Sequence, residues 1–243
     1  MRKPKMILFD FGDTLLSAKY FDGIKGTQAV LDTCVKNPDS ITAEHIQRLA
    51  EELNDDIGRY DPKTSHLCLF EIHNHQFTNY LYDYFKLERI VSPLQLETVF
   101  WDAASPVSLT DNITEFLDYL KEVNIRTGVI SNISFSGHAL ASKINKFLPN
   151  NSFEFIIATS EYVFRKPHRR IFEIALKKAE LLPHDVWYCG DNAICDVDGA
   201  RNVGFTPIWY KGAFKDYNHI PQKECLTVYN WLELKTKIYN KIE

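Results

Sequence analysis

Three short apolar runs of this chain each end in side chains that can bind a cation or a phosphate, and a lysine before a proline adds a positive charge. Apolar runs of about four residues, closed by polar residues or glycine, are typical of strands buried on both faces. The polar residues concerned are Asp10 and Asp13, Ser131 and Asn132, Lys166, and Asp191, Asn192 and Asp196. The set holds four carboxylates, one hydroxyl and one ammonium group.

The chemistry of this set points to phosphate and a metal ion. The carboxyl ends of parallel strands meet at one edge of a sheet, where open α/β sheets bind ligands. Four carboxylates collected there stay ionised only beside a cation, and Mg²⁺ prefers one or two carboxylates with water and substrate phosphate. Lys166 would neutralise further negative charge, and an aspartate can attack phosphorus to form an aspartyl-phosphate that water then breaks. The residues predict a Mg²⁺-dependent phosphoryl-transfer site.

Each residue also has a simpler interpretation when it is taken alone. An aspartate after a buried strand is often a turn residue or a helix cap, and Ser131-Asn132 is typical of a turn. Lys166 could be solvated, and Asp191 and Asp196 could cap the helix that follows them. The functional interpretation depends on the combination, in this order along the chain.

The elements that position these residues alternate in the second half of the chain. Helices are predicted over 110–123, 167–181 and 197–203, and strands over 127–130, 153–158, 186–189 and 206–210, besides 6–9 near the start. This alternation predicts an α/β fold with a doubly wound parallel sheet.

Between residues 19 and 104 the pattern is helical, and no strand is predicted there. Helical segments are predicted over 41–57, where apolar residues recur on one face, over 67–87, and from Pro93, which a helix tolerates in its first turn. We therefore expect an α/β core of residues 1–16 and 106–243, interrupted by a helical domain of residues 17–105.

The composition argues against several other classes of protein. The 243 residues carry a formal net charge of −4, which does not indicate affinity for nucleic acid or acidic membranes. No apolar run approaches the ~20 residues that span a bilayer, and the first apolar residues are too few for a signal peptide. The five cysteines are scattered and odd in number, which indicates neither a disulfide framework nor a zinc site. We expect a cytoplasmic monomer or homodimer.

Four segments resemble the motifs of the haloacid dehalogenase-like (HAD) hydrolase superfamily, in that family's order. They are ILFDFGDTLL (7–16), VISN (129–132), RKPHRRIF (165–172) and YCGDNAICDVDGARNVG (188–204). The resemblance implies a Rossmann-like core, and the helical insertion resembles the cap found in many phosphatases and dehalogenases of this family.

The resemblance also implies a role for each matching residue. Asp10 would be the nucleophile, Ser131 would hydrogen-bond the transferring phosphoryl group, and Lys166 would stabilise charge on both. Mg²⁺ would be bound by Asp10, Asp191 and the backbone carbonyl of Gly12. Supporting roles fall to Asn132, Asn192 and Asp196.

One position departs from the family's pattern. Phosphatases that this chain resembles carry a general acid and base two residues after the nucleophile, where this chain has Gly12 followed by Asp13. Such a group contributes roughly 10²–10⁴-fold to the rate. Asp13 could swing in, because glycine makes the turn adaptable, another group or water could act, or turnover could be slow.

Three functions are compatible with these residues, and a fourth, a phosphomutase, generally keeps the acid–base aspartate that is missing here. The leading one is a phosphatase for a small phosphorylated metabolite, and Gly12 supports the alternative of a phosphate- or partner-binding protein with little turnover. Dehalogenation uses the same nucleophile without a metal, but Asp191 and Asp196 would then repel an anionic substrate. In the predicted cap, candidate substrate contacts are Tyr20, Lys25, Arg59, Tyr60, Lys63 and His66.

Overall fold

The centre of the protein is a six-stranded sheet in which every strand pairs in parallel with its neighbours. The structure is a computed structural model and describes residues 2–58, 69–213 and 219–240. The strands of this sheet are β1 (Met6–Phe9), β6 (Arg126–Ser131), β7 (Phe153–Ala158), β8 (Val186–Gly190), β9 (Thr206–Tyr210) and β10 (Leu226–Val228). Their order is β10-β9-β8-β1-β6-β7, so that β1 lies between β6 and β8. The order reverses at β1, and such a switch point is where doubly wound sheets bind ligands.

Helices cover both faces of this sheet. They are α5 (Ile113–Glu122), α6 (Gly137–Phe147), α7 (Arg169–Ala179), α8 (Gly199–Asn202) and α9 (Trp231–Tyr239). Side chains alternate along β1, so Ile7 and Phe9 pack into the core beneath α5, α6 and α9, while Met6 and Leu8 pack against α7 and α8. The strand is therefore apolar throughout, because both of its faces are buried.

A helical insert separates β1 from the rest of the sheet. It consists of α1 (Gly23–Leu31), α2 (Ala43–Ile57), α3 (Asn74–Tyr84) and α4 (Pro93–Ala104), which share an apolar core. Ser92 caps α4 and Pro93 is its first residue, as the sequence predicts. Strands β2 (Leu16–Ala18) and β5 (Val107–Leu109) pair antiparallel where the chain enters and leaves the insert.

The structure corrects several details of the sequence prediction. The segment 19–104 was expected to hold no strand, but β3 (Cys34–Lys36) pairs there with β4 (Glu88–Arg89). These strands are too short and too polar to give a periodic signal. In the segment predicted as a helix over 67–87, α3 begins only at Asn74. The predicted helix 197–203 is a π-helical turn, Ala193–Asp198, followed by α8.

Of the described helices, none is long and apolar enough to cross a membrane. The division into a core of residues 1–16 and 106–243 and a domain of residues 17–105 stays a prediction. The pairing of β2 with β5 gives it a physical basis, since this two-stranded ribbon is where the insert joins the sheet.

Candidate active site

A cleft of about 340 Å³ opens at the carboxyl ends of β1, β6 and β8. The predicted residues that line it are Asp10, Gly12, Ser131, Asn132, Lys166, Asp191, Asn192 and Asp196. The structure therefore brings together eight of the nine predicted site residues at the switch point of the sheet. Asp13 is not among the lining residues of this cleft.

A buried lysine links two of the carboxylates. Lys166 Nζ lies 2.6 Å from Asp10 Oδ1 and 2.6 Å from Asp196 Oδ1, and its side chain is 1% exposed. Lys166 is therefore buried and paired, and the alternative interpretation as a solvated lysine is wrong. A buried ammonium group needs compensating charge, and the two aspartates supply it.

Two neighbours hold this lysine in place. Tyr188 Oη accepts a hydrogen bond from Lys166 Nζ (2.8 Å) and donates one to the carbonyl of Ile130 (2.9 Å). The carboxamide of Asn132 accepts from the backbone N–H of Lys166 (2.7 Å) and donates to its carbonyl (2.8 Å). The peptide bond from Lys166 to Pro167 is cis. The side chain of Asn132 thus positions the loop that carries Lys166.

Burial and the charges of the site shift the pKa values of its groups. Burial raises the pKa of Asp10 to about 6, although Lys166 opposes the shift. Burial also raises the pKa of Asp191 well above its usual range, and the neighbouring carboxylates of Asp196, Asp10 and Asp13 add to this. Burial would lower the pKa of Lys166, but Asp10 and Asp196 outweigh it and raise that pKa well above 10.5. Lys166 is thus positively charged at neutral pH.

The donor set fits a hard divalent cation. Asp10, Asp191 and Asp196 offer carboxylate oxygens that lie within 4.8 Å of one another, close to the ~4 Å between opposite ligands of Mg²⁺. Asp196 is already engaged, because one oxygen accepts from Lys166 and the other from the backbone N–H of Asn192 (2.9 Å). Asp10 and Asp191 are therefore the carboxylates best placed to hold a metal, with Asp196 in support.

The turn after β8 places these acids. The Asn192 side chain accepts from the N–H groups of Ile194 and Cys195, which starts the π-helical turn that carries Asp196. A Cβ on Gly190 would overlap the Asp196 carboxylate, so only glycine allows this close approach. Trp209 donates to the carbonyl of Asp191 (2.7 Å) and fixes the backbone there.

The turn after β1 contains the departure from the family's pattern. A Cβ added to Gly12 would meet nothing within 4 Å, so the position has room for a side chain. Asp13 has a left-handed backbone (φ 50°), and its carboxylate accepts a hydrogen bond from Ser17 Oγ (2.8 Å). In this conformation the Asp13 carboxylate is bound by Ser17 and does not line the cleft.

Three further residues of the site were missed by the sequence interpretation. Arg165 and Trp101 line the cleft, and Tyr188 supports Lys166. Arg165 directly precedes Lys166 in the motif, which could have drawn attention to it. Tyr188 lies in an apolar strand and Trp101 in the insert, and only the tertiary structure shows their neighbours.

The candidate contacts in the insert are only partly described. Tyr20 is half-exposed and its ring lies 5.2 Å from Lys25 Nζ, and neither residue lines the cleft. Arg59, Tyr60, Lys63 and His66 lie outside the described residues.

Relatives of this chain share its fold over nearly its whole length. It is 26% identical over 223 residues to the glyceraldehyde 3-phosphate phosphatase of Pyrococcus furiosus. The alignment covers 87% of this chain and 82% of that protein. Its structure resembles that of a HAD phosphatase from Thermococcus onnurineus (TM-score 0.63, 18% identity, 98% of both chains). It also resembles a 2-haloacid dehalogenase from Pseudomonas syringae pv. Tomato (TM-score 0.64, 19% identity, 100% of both chains).

At these identities the solved structures show the fold alone. The family model of haloacid dehalogenase-like hydrolases matches residues 7–210, which include all the residues that line the cleft. The chain therefore belongs to the haloacid dehalogenase-like hydrolase family.

Proposed function

We propose that this protein is a Mg²⁺-dependent phosphatase that hydrolyses a small phosphorylated metabolite through an aspartyl-phosphate on Asp10. The observation that carries the proposal is the position of Lys166, whose ammonium group contacts Asp10 in a cleft that also holds Asp191. The positive charge favours the ionised form of Asp10, which is the form that can attack phosphorus.

The chain's own residues account for the two steps of the proposed reaction. A carboxylate oxygen of Asp10 attacks phosphorus, the bond to the ester oxygen breaks, and the leaving oxygen takes up a proton. Water then attacks the same phosphorus, the bond to Asp10 breaks, and inorganic phosphate leaves. Lys166 and the Ser131 hydroxyl would stabilise the negative charge on the phosphoryl oxygens.

The proposed metal would be held by Asp10, Asp191 and the carbonyl of Gly12, and bound Mg²⁺ would offset the charge of the phosphate and the carboxylates. Asp13 is the proposed acid and base for the leaving oxygen and for water. It would have to leave Ser17 and turn into the cleft.

A relative in sequence supports this chemistry over dehalogenation. A protein that aligns with most of this chain is named for phosphatase activity on glyceraldehyde 3-phosphate. A dehalogenase-type reaction on an anionic substrate would leave Asp191 without a cation to offset its charge. The hydrogen bond between Asp13 and Ser17 favours a second candidate function, a phosphate-binding protein with little turnover.

We also propose that the helical insert, with the predicted boundaries 17–105, acts as a cap that selects the substrate, and that the protein is a cytoplasmic monomer or homodimer. Trp101 of α4 lines the cleft, which supports the first statement. The free thiols of Cys34, Cys189, Cys195 and Cys225 fit a reducing compartment.

The proposal is tested by phosphate release from a panel of phosphorylated metabolites, with Mg²⁺ and with EDTA. We expect Mg²⁺-dependent release that Asp10→Asn lacks. Binding of a phosphorylated compound without release would favour the second candidate function. Release that continues in EDTA, or in Asp10→Asn, would contradict the proposal.

A further inference from the structure

A second, larger cavity lies between the helical insert and the loop that follows β6. Its volume is about 500 Å³. Helices α1, α2, α3 and α4 contribute to its walls, and Ser134 and Phe135 close it from the side of the sheet. Ligand pockets for drug-sized molecules typically measure roughly 300–1,000 Å³, so the cavity has the size of a binding site.

The lining of this cavity is aromatic and uncharged. Phe77, Phe100 and Phe135 supply ring surface, and Gln47, Asn54 and Asn74 supply carboxamides. None of the described residues that line it is charged at neutral pH. A charged group placed there would lose its hydration without gaining a partner, whereas an aromatic ring would keep favourable contacts.

The cavity and the catalytic cleft share one wall. Trp101 lines the cleft, and its ring stacks on Phe135 of the cavity with 4.3 Å between ring centroids. Phe100, the residue before Trp101, lines the cavity. In the loop after β6, Ile133 lines the cleft and the next residue, Ser134, lines the cavity. Trp101 and Phe135 therefore separate the two spaces, and a ligand that occupies both has to pass this wall.

We propose that this cavity receives the alcohol part of the substrate, and that this part is an uncharged group containing an aromatic ring. The inference rests on the proposed phosphatase function, since it places the phosphate in the cleft. It names a substrate class different from the one in the relatives' name, because the cavity far exceeds what a three-carbon group fills. A cavity of roughly 150 Å³ already holds benzene.

The carboxamides refine this class. Each offers both a hydrogen-bond donor and an acceptor, so they match an aromatic group with polar atoms at its edge. Gln47 already donates to Thr27 Oγ1 (2.5 Å), which fixes its side chain in the wall. The preferred ligand is thus aromatic, neutral and able to form a few hydrogen bonds.

The test uses two threonines in matched positions. Thr78 on α3 and Thr98 on α4 each donate their hydroxyl to the carbonyl four residues earlier. Thr78 lines the cavity, whereas Thr98 is exposed. Thr78→Phe places a ring inside the cavity and narrows it, and Thr98→Phe adds the same bulk outside it.

Turnover of 1-naphthyl phosphate is compared with turnover of glyceraldehyde 3-phosphate. We expect the wild type to prefer 1-naphthyl phosphate by at least tenfold in kcat/KM. Thr78→Phe should lower this preference at least tenfold, mainly through KM, and Thr98→Phe should preserve it. Ala50→Leu, on the α2 wall of the same cavity, provides a milder filling variant should Thr78→Phe fail to fold.

Calorimetric binding of 1-naphthyl phosphate to Asp10→Asn separates this inference from the phosphatase proposal. We expect the added Thr78→Phe to weaken binding at least tenfold, whether or not the wild type releases phosphate. Failure of the wild type to release phosphate, with this binding pattern intact, would overturn the phosphatase function only. Equal affinity of Asp10→Asn with and without Thr78→Phe would overturn the inference about the cavity. A wild-type preference for glyceraldehyde 3-phosphate would overturn it as well.

Discussion

At the scale of single residues, Lys166 sets the charge of the site because it contacts two carboxylates at once. Its ammonium group, 2.6 Å from both Asp10 and Asp196, is almost completely buried. Removing one partner of a buried ion pair costs roughly 3–5 kcal/mol, because the other charge is left uncompensated. The two aspartates therefore compensate the buried ammonium group, which keeps a positive charge beside the proposed nucleophile.

The role of Asp13 is tested by alanine substitution and rescue. We expect Asp13→Ala to lower kcat by about 10²-fold, as general acid–base catalysis predicts. Adding Gly12→Asp to this variant should raise kcat again by at least tenfold. Position 12 has room for a side chain and corresponds to the acid of related phosphatases. The measurement is steady-state phosphate release at saturating substrate.

Ser17→Ala is the control for this experiment, since it removes only the hydrogen bond that holds the Asp13 carboxylate. We expect its kcat to equal or exceed that of the wild type, because Asp13 must leave Ser17 in order to act. An Asp13→Ala protein that folds and turns over normally would eliminate Asp13 as the acid and base.

Single residues also show what sequence alone can predict of the site. Asp10, Ser131 and Asp191 each follow an apolar run, so their meeting at one edge of a sheet could be predicted. Tyr188 could not, because within an apolar strand a tyrosine is interpreted as core. Its hydroxyl has a partner in Lys166, which is 22 residues away in the chain, and nothing local indicates this contact.

At the scale of elements, Glu97 connects the insert to the sheet. This side chain of α4 is 1% exposed and accepts from the backbone N–H (2.7 Å) and the hydroxyl (2.5 Å) of Ser136. Ser136 is the N-cap of α6, where its own hydroxyl accepts from Ala139 N–H. The insert thus contacts the start of α6, five residues after Ser131.

We expect Glu97→Ala to lower the free energy of unfolding by about 2–4 kcal/mol, since it leaves the buried N–H and hydroxyl of Ser136 without their acceptor. Glu161 offers a matched control, because it accepts from the next N–H, that of Gly137 (2.7 Å), with a side chain that is 45% exposed. Glu161→Ala should cost less than about 1 kcal/mol. Urea unfolding measures both values, and equal losses would refute the role given to Glu97.

Strands and helices could be predicted where no charged residue interrupts the apolar pattern of their buried face. The strands β1, β7 and β9 have the predicted bounds, since each is a short, mostly apolar segment with defined ends. Helix α6 was not predicted, because Lys143 interrupts its buried face. The tertiary structure explains this lysine, which pairs with Asp102 (2.7 Å) and lies over the Trp101 ring.

At the scale of the whole molecule, burial of the ionised Asp10 carboxylate opposes folding. Burial raises the pKa of Asp10 to about 6, above its ordinary value of 3.8. The folded state therefore holds this proton more tightly than the unfolded state does. The associated stability is fully present below pH 3.8 and is lost as the pH rises through 6.

Mg²⁺ binds the ionised carboxylates, so it should offset this loss. We expect saturating Mg²⁺ to raise Tm more at pH 7.5 than at pH 5, because at pH 5 metal binding must first displace the proton from Asp10. Differential scanning calorimetry at both pH values, with Asp191→Asn as the metal-deficient control, measures the effect. A larger shift at pH 5 would show that Asp10 is not a ligand.

The central claim is that Asp10 carries the phosphoryl group, and an acid quench during turnover tests it most directly. Mass analysis of the peptide that contains Asp10, after reaction with 1-naphthyl phosphate or glyceraldehyde 3-phosphate in Mg²⁺, should show one added phosphoryl group. The adduct should map to Asp10 and be absent from Asp10→Asn and from EDTA-treated protein. Phosphate release at an undiminished rate with no phosphoryl group on Asp10 would contradict the account.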